Sequence, residues 1–417
     1  MQQQKDNQFK IQNFVKKYIS FFYLWQGELI STFGDSIYSM ALGFWVFKIT
    51  GSTTMIGAVM LASTLPEIIF APVAGVIVDR YNKKAMLVSM DTIRSITMII
   101  LAVQMMSGNG NVVSLVVGGI ILGICGTIYS PCVMSLVSLL VSKDKITNAN
   151  SVLSLASAVS QMTGNVSGGF IYNLLGAPII FLSNGISFLL SGFLNLKIKY
   201  TEKHSERHDE NMLKEMKEGV QYIKGEKGLI CLLLMGAALN FFSYMAIILV
   251  LPLFEIRADL GSTRYGVAMG CFMAGAMAGY VMIAIARISN KNRLKLIFFS
   301  NVLTNICFII AVNCRMYCLM LILLFIGGIF NSVLNTIISS IIQIASPSDM
   351  RGKVLSLKNM TIQGLTPIAM GIGGVLGDIF NIQAVISCSF GAALIVVTLF
   401  LAYKPLREFV HMDFDTD

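Results

Sequence analysis

Length, composition and charge exclude a soluble protein. The chain of 417 residues is 55% hydrophobic and only 13% charged, and its mean hydropathy is +0.73. A soluble fold of this size needs more charge on its surface than this composition supplies. The net charge of +9 is explained by basic cytoplasmic loops, so no nucleic-acid surface is needed to account for it.

The apolar runs predict an all-α polytopic membrane protein with twelve transmembrane helices in two six-helix repeats. A helix needs about 20 apolar residues to cross a hydrocarbon core of about 30 Å. The first six runs are 21–47, 55–78, 86–106, 112–140, 150–176 and 178–196. The second six are 229–254, 265–287, 294–314, 317–343, 354–377 and 382–403.

A polar stretch separates the two sets and divides the chain into an N-terminal half at 1–196, a cytoplasmic linker at 197–228 and a C-terminal half at 229–417 with a short cytoplasmic tail. If both termini are cytoplasmic, most Lys and Arg residues lie in cytoplasmic loops, as membrane topology favours. The basic residues near Lys353 and Lys358 are among them. The first apolar run is longer than a signal-peptide core, so we expect it to be retained.

Carboxyl groups inside apolar runs are the first candidates for function. Glu28 and Asp35 lie in the first run and Glu67 lies in the second. Unpaired charge is costly in hydrocarbon, so such groups usually face a cavity, a partner or a translocated ion. At 1.5 Å per residue, Asp35 and Glu67 fall near the midplane, and Glu28 shares a helix face with Asp35. We interpret these three as proton-coupling or substrate-binding residues.

Structural alternatives remain open for two of these acids. Asp35 has Ser31 and Ser36 as neighbours. The alternative interpretation is a structural acid that is hydrogen-bonded to one of these hydroxyls or to the backbone. Glu67 follows Pro66. Its alternative role is to cap backbone groups that lose their helical hydrogen bonds because of the proline.

The segment from Trp25 to Arg94 carries a specific resemblance. It contains WQGELISTFGDSIYSMALGFWVFKITGS, LPEIIFAPVAGVIVDRYNKK and DTIR, and it resembles the drug-efflux branch of the major facilitator superfamily, in particular the macrolide-efflux and enterobactin-exporter-like group. The resemblance implies a secondary active transporter in a bacterial cell membrane that exports a drug, macrolide or siderophore in exchange for protons.

The resemblance also implies a gate at the cytoplasmic loop after the second helix. The family's loop motif matches Gly75, Asp79, Arg80, Lys83 and Lys84. Asp79 is then expected to meet the N-terminus of the eleventh helix, where the helix dipole favours negative charge. Asp91, Arg94 and Arg80 are expected to complete the charge cluster that locks the outward-open state. The simpler interpretation is an ordinary basic loop.

Small residues in the fifth and eleventh predicted helices suggest close helix packing. The antiporter branch usually has a Gly-Pro pair in the fifth helix, which this chain lacks. A proline, Pro367, is present at the corresponding position of the second half. The packing residues are Gly164, Gly168, Gly169, Pro367, Gly371 and Gly374. Val-Leu-Ser-Leu also recurs at 152–155 and 354–357, as expected for parallel repeats.

Other functional classes find little support in the sequence. No phosphate-binding loop, catalytic constellation or metal-ligand spacing is present, so we expect no enzyme activity, no cofactor and no metal. The expected partners are a small-molecule substrate, protons and the lipid bilayer, without nucleic acid, and we expect a monomer. Import of a solute or movement of a lipid is the alternative, and a non-transporting membrane sensor is a more distant one.

Overall fold

The computed structural model describes the backbone of residues 2–142, 145–200, 212–285, 290–347 and 350–411. Side chains are described from residue 18 onward within these ranges, with the exception of Pro72, Val76, Asp79, Thr147, 212–217, 290–291 and 351–352. The described backbone contains helices and connections and no strand.

Fourteen helices follow one another along the described chain. The first seven are α1 (Gln2–Thr50), α2 (Thr53–Arg80), α3 (Lys83–Met106), α4 (Val112–Leu140), α5 (Ile146–Leu196), α6 (Met212–Gly225) and α7 (Lys227–Ile256). The next seven are α8 (Gly261–Ile285), α9 (Asn290–Asn313), α10 (Tyr317–Ile344), α11 (Arg351–Gln363), α12 (Thr366–Ile379), α13 (Ile382–Ala402) and α14 (Lys404–His411).

Ten segments of the described chain are long and apolar enough to cross a membrane. One of them, α5, is divided at Gly176, whose φ of 75° lies in the left-handed region that favours glycine. It therefore comprises two spans, 146–175 and 177–196. A further span, Lys353–Ile379, includes most of α11 and all of α12. With α1, which is not among the ten, the helices agree with the predicted all-α polytopic fold.

The helices group into two units by their contacts. Unit 1 comprises Met1–Trp45 and Ala62–Ser205, and unit 2 comprises Val46–Leu61 and Glu206–Asp417. Segment 46–61 thus groups with helices that follow it by hundreds of residues. The division into six-helix halves at 1–196 and 229–417 stays a prediction.

Unit 1 contains an apolar core in which α3 packs against α4 and α5. Its fully buried side chains include Leu24, Leu87, Cys132, Leu136 and Ile198. The Ser95 hydroxyl donates to the Gly185 carbonyl oxygen at 2.7 Å, which ties α3 to the second segment of α5. Because this bond satisfies a buried hydroxyl, a polar residue is tolerated between two packed helices.

Unit 2 has a core of its own, in which α10 packs against α8 and α9, and α13 packs against α7 and α9. Its buried side chains include Leu232, Ile297, Ile338, Val397 and Phe409. Gly275 and Gly279 of α8 lie directly against the α10 backbone at Phe325 and Ile329. Any side chain at these glycines would separate the two helices, as expected for close packing between membrane helices.

The connection after α7 is held by charged side chains. The Arg257 guanidinium donates to both carboxylate oxygens of Asp259, at 3.3 and 3.0 Å, and to the Cys314 carbonyl oxygen at 3.0 Å. The hydrogen bonds from Arg257 lower the pKa of Asp259 from its ordinary value. These contacts link the connection between α7 and α8 to the one between α9 and α10.

Asp378 bonds segment 46–61 to α12 within unit 2. Its Oδ1 accepts hydrogen bonds from the Thr53 backbone N–H at 2.6 Å and the Thr53 hydroxyl at 2.8 Å. Its Oδ2 accepts from the Ser52 hydroxyl at 2.6 Å and the Thr54 N–H at 3.1 Å. The carboxylate therefore caps the first turn of α2, where free N–H groups and the helix dipole favour negative charge.

Replacement of this cap is expected to destabilise the protein. Asp378→Ala removes the acceptor of all four hydrogen bonds, and a lost N-terminal cap typically lowers the free energy of unfolding by about 1–2 kcal/mol. Thermal unfolding of the purified protein should show a lower midpoint. Glu408→Ala is the control, because Glu408 forms only an exposed ion pair with Lys404. Equal midpoints for Asp378→Ala and the wild type would contradict the capping role.

Candidate functional site

Unit 1 contains a group of ionisable side chains within its membrane-spanning helices. We call them the unit 1 charge cluster: Glu28 and Asp35 of α1, Glu67 of α2, and Asp91 and Arg94 of α3. Arg94 is the cation within electrostatic range of all four carboxyl groups. Among the described residues one buried guanidinium therefore acts on four acids. Asp91 is buried, Glu28 and Asp35 are half-buried and Glu67 is exposed. Charges attract more strongly where burial excludes water.

Asp91 is the most deeply buried acid of the cluster. Its side chain is 0% exposed, and its Oδ2 accepts hydrogen bonds from the Ser191 hydroxyl and the Asn195 amide, both at 2.9 Å. Its Oδ1 is buried without a hydrogen-bond partner among the described residues. A buried carboxylate in this state depends on nearby positive charge, which Arg94 supplies.

Arg94 itself is held by aromatic rings. Its guanidinium carbon lies 4.4 Å from the centroid of the Tyr129 ring and 5.4 Å from that of Phe188. Both distances fall in the range of cation–π attraction. Among the described carboxylates none lies within 4.0 Å of Arg94. The guanidinium therefore acts on the acids at longer range, without a direct ion pair to any one of them.

Asp35 is oriented by the second segment of α5. The Asn184 amide donates to Asp35 Oδ1 at 3.1 Å, and the Ser187 hydroxyl lies 3.0 Å from Asn184 Oδ1, which turns the amide nitrogen toward the acid. The alternative bonds to neighbouring hydroxyls are not formed. Ser31 and Ser36 donate instead to the backbone oxygens of Glu28 and Thr32.

Two glycines bring α1 close enough to α5 for this contact. A methyl group on Gly34 would collide with the side chains of Asn184 and Ser187, and one on Gly27 would lie 3.0 Å from the Ser191 hydroxyl oxygen. The glycines are seven residues apart, so they share one face of α1. They allow the polar residues of α5 to reach the acids of α1 and α3.

The other two acids differ in their surroundings. Among the described residues, one Glu28 carboxylate oxygen and the Tyr129 hydroxyl are buried without a hydrogen bond of standard geometry. Glu67 is more exposed than Glu28. A methyl group on Gly126 would lie 3.4 Å from Glu67 Oε1 and 3.5 Å from an Arg94 guanidinium nitrogen. The absence of a side chain at Gly126 thus leaves space beside both groups.

The polar residues of α5 were missed by the sequence analysis. Asn184, Ser187, Ser191 and Asn195 follow one another at intervals of three and four residues, so they line one face of a helix. This spacing was available as a signal within the sixth predicted span. Unsatisfied oxygens of Glu28 and Asp91 beside hydroxyl and amide donors make the cluster suitable for gaining and losing a proton.

The residues of the expected gate are placed in two different settings. Arg80 is exposed at the end of α2, and Lys83 and Lys84 begin α3. Asp91 and Arg94 lie inside unit 1 with the acids of α1. The side chain of Asp79 lies outside the described residues, and Gly75 has open space around its Cα. The gate of the sequence analysis therefore stays a prediction.

The small residues predicted for helix packing make close contacts. Gly164 faces Ser36 and Phe33 of α1, and Gly168 lies against Met40 and Ile37. In unit 2 a methyl group on Gly371 would lie 3.2 Å from Leu61 and one on Gly374 would lie 2.6 Å from the Thr53 carbonyl oxygen. Gly169 lies in α5, and Pro367 is buried at the first turn of α12.

No group of three or more His, Cys, Asp or Glu side chains in the described part of the chain is arranged to hold a metal ion.

Comparison with known proteins adds a family and a fold. Residues 24–365 and 233–415 match the family model described as Major Facilitator Superfamily. Macrolide efflux protein A of Streptococcus pyogenes is 24% identical over 270 residues, which cover 63% of this chain and 66% of that protein. The chain thus spans slightly less than two thirds of the length of that curated relative.

Solved structures show the same fold at lower sequence identity. A variant of the nucleoside transporter NupG matches with a TM-score of 0.71 and 13% identity, over 92% of this chain and 99% of that one. A bacterial homologue of the iron transporter ferroportin in the inward-facing state matches with a TM-score of 0.69 and 16% identity, over 92% and 99%. At these identities the similarity concerns the fold alone.

Proposed function

We propose that this chain, which belongs to the major facilitator superfamily, is a secondary active exporter of an amphipathic small molecule. The family and fold are those of transporters and not of enzymes. The exported compound is a drug, macrolide or siderophore, and export uses alternating access. Similarity to Macrolide efflux protein A supports the direction and the compound class.

The observation that carries the proposal is the unit 1 charge cluster. Four acids share one guanidinium inside helices that cross the membrane. Ionisable groups at such depth mark ion and substrate pathways. Asp35 and Glu67, with Glu28, are the residues to which we assign coupling or substrate binding.

Competition for these carboxyls provides a mechanism of exchange. A protonated carboxyl is neutral and donates a hydrogen bond, whereas the carboxylate attracts cationic or donor groups of a substrate. Proton entry from outside then favours substrate release, and proton loss to the cytoplasm restores the carboxylate for the next substrate. The two ligands drive the cycle because each binds one protonation state better.

The proposed cellular location and topology agree with an exporter. The chain is a multi-pass membrane protein, and we place it in a bacterial cell membrane as a monomer with both termini in the cytoplasm. Residues 1–196 and 229–417 form the two halves, joined by the linker 197–228.

Import is the second candidate, because structures with this fold include proteins named for nucleoside transport and for homology to an iron transporter. Movement of a lipid would use the same fold. A non-transporting sensor is the least supported, since it gives the charge cluster no task.

Accumulation of labelled compounds in cells with and without the protein tests the proposal. A panel of macrolides, cationic dyes and siderophores should include compounds that accumulate less when the protein is present. An uncoupler should remove that difference, because it collapses the proton gradient. Greater accumulation in cells with the protein would instead establish import, and an unchanged panel would reject the proposed compound classes.

The proposed gate has its own expected result. Asp79→Asn keeps the size of the side chain but removes its charge, so a charge–dipole contact of about 1–2 kcal/mol is lost. A loss of that size shifts the balance of two states about 5- to 30-fold. Transport should fall accordingly while membrane insertion stays normal, and Asp79→Glu should keep more activity. Full activity in Asp79→Asn would refute the gate.

A further inference from the structure

The open face of α10 is polar although the helix crosses the membrane. Asn331, Asn335 and Ser339 recur every four residues and are half-buried or exposed, with Asn335 the most open. We call these three the α10 polar strip. Large apolar residues are also exposed on α10, namely Leu319, Ile322, Phe325 and Ile344, and Gln343 near its end is a further exposed polar residue. Because polar groups are costly in lipid, the strip is suited to a water-filled path or a solute.

Lys358 lies at one end of this strip. Its ammonium donates to the Ser339 hydroxyl oxygen at 2.8 Å. By sequence, Lys358 was counted among the basic residues on the cytoplasmic side and lay near the start of the predicted run 354–377, and the structure places it in the candidate span Lys353–Ile379. It lies seven residues after the start of α11, or about 10 Å along the helix.

No described carboxylate balances the charge of Lys358. None of the described carboxylates lies within 4.0 Å of it. The nearest basic residue on the same helix differs, because Lys353 forms an ion pair of 2.7 Å with Glu218. Asp378, the acid at the far end of the span, is bonded to the first turn of α2.

The hydrogen-bonding capacity around Lys358 is also only partly used. An ammonium group has three N–H donors, and one of them is directed to Ser339. That serine oxygen accepts, and its own hydrogen has no assigned acceptor in the described part of unit 2. The exposed Asn335 donates its amide nitrogen to Asn331, and its carbonyl oxygen accepts no hydrogen bond in the described part of unit 2.

We infer that Lys358 and the α10 polar strip bind an anionic oxygen group, such as a carboxylate, of the transported compound. The inference rests on the proposed transport function and adds a substrate feature to it. The ammonium and the Ser339 hydroxyl supply donors to the anion. The Asn335 carbonyl accepts from a neighbouring hydroxyl or N–H group of the same compound. The bound anion provides the counter-charge that Lys358 lacks within the described protein.

A pair of dyes that differ at one group tests this inference. Rhodamine 110 has a free carboxyl, and rhodamine 123 is its methyl ester. Fluorescence anisotropy titrations of each dye with the purified full-length protein in lipid nanodiscs give the two affinities. The wild-type protein should bind the carboxylate form more tightly than the ester. Lys358→Gln should weaken binding of the carboxylate form about tenfold or more, with the ester affected less than about twofold.

Two matched variants make the comparison specific. Lys353→Gln removes a charge from the same helix and should leave both affinities near those of the wild type. Lys358→Arg keeps the charge and should retain most of the preference for the carboxylate form. Equal binding of the carboxylate form by the wild type and Lys358→Gln overturns the inference. The inference is also overturned if the wild-type protein binds the two dyes equally well. That result does not depend on whether any variant folds.

Transport assays separate this inference from the proposed function. Export of rhodamine 123 from cells, together with no preference for the carboxylate dye, would reject the role of Lys358 and keep the exporter. Preferential binding of the carboxylate dye, together with no export of any compound in the panel, would keep the anion site and reject the exporter.

Discussion

Neutralisation of Asp35 or Glu67 is expected to abolish uphill, pH-driven export by the protein. Asp35→Asn and Glu67→Gln each remove a group that can carry the coupled proton but retain a polar side chain of similar size. Downhill movement and substrate binding should persist in part, because the shape of the site is kept. Two observations favour Asp35 and Glu67 as coupling residues. Both lie near the predicted midplane of the membrane, and both carboxyls interact electrostatically with Arg94.

A structural acid would behave differently. If Asp35 served only to anchor Asn184, to which it is hydrogen-bonded at 3.1 Å, its replacement would lower folded yield and thermal stability. Transport per folded molecule would then change little. The two roles are therefore separated by normalising activity to folded protein and not to total protein.

The deciding measurement is substrate-dependent proton flux in reconstituted vesicles, made on each variant separately. Glu408→Gln is the matched control, because it removes a carboxylate from an exposed position on α14 and should leave the flux unchanged. Wild-type flux with an unaltered pH profile in both Asp35→Asn and Glu67→Gln would show that the coupling site is wrong. Attention would then move to Glu28 or to an ion other than the proton.

The fold was predictable because membrane insertion depends on local composition. The length of each apolar run, the basic loops and the polar linker determine the helices, and their order follows from the chain. Gly176 marks the break between the fifth and sixth predicted spans almost to the residue. The grouping of 46–61 with unit 2 was not predictable, because it depends on contacts with residues of α12 such as Asp378, which lies more than 300 residues away.

The functional site was predictable only in part. Depth along a helix identified Asp35 and Glu67, since it requires only a starting residue and a rise. It did not show which helix faces meet, and the family resemblance, not depth, assigned Asp91 and Arg94 to the gate's charge cluster with Arg80. The structure places them beside Glu28, because Ser191 and Asn195 draw Asp91 into the interior.

Lys358 was missed for a related reason. The predicted eleventh helix began at 354, which put Lys358 near its start, close to the membrane surface where basic residues are common. The observed helix begins at Arg351 and the span at Lys353, so the predicted bounds were close. The sequence did not show that Lys358 meets Ser339 of α10, to which it is hydrogen-bonded.

Replacement of Arg94 is expected to have the largest effect on folding. Arg94→Gln leaves the buried Asp91 and three further carboxyls without the cation that acts on them. Removal of one member of a buried charged set typically destabilises a protein by about 3–5 kcal/mol. Folded yield and thermal unfolding midpoint should both fall, and transport should be lost. Arg94→Glu should be worse, because it adds a fifth acid.

A second substitution distinguishes loss of charge balance from loss of packing. Asp91→Asn combined with Arg94→Gln removes one acid along with the cation, and Asn at position 91 can still bond to Ser191. If charge balance is the cause, the double variant should be more stable than Arg94→Gln alone, a non-additive result in a double-mutant cycle.

Arg94→Lys keeps the charge but gives up the planar contact with Tyr129, so its stability should fall between those of the wild type and Arg94→Gln. Wild-type stability in Arg94→Gln would mean that the acids of the cluster are neutral in the folded protein and need no counter-charge.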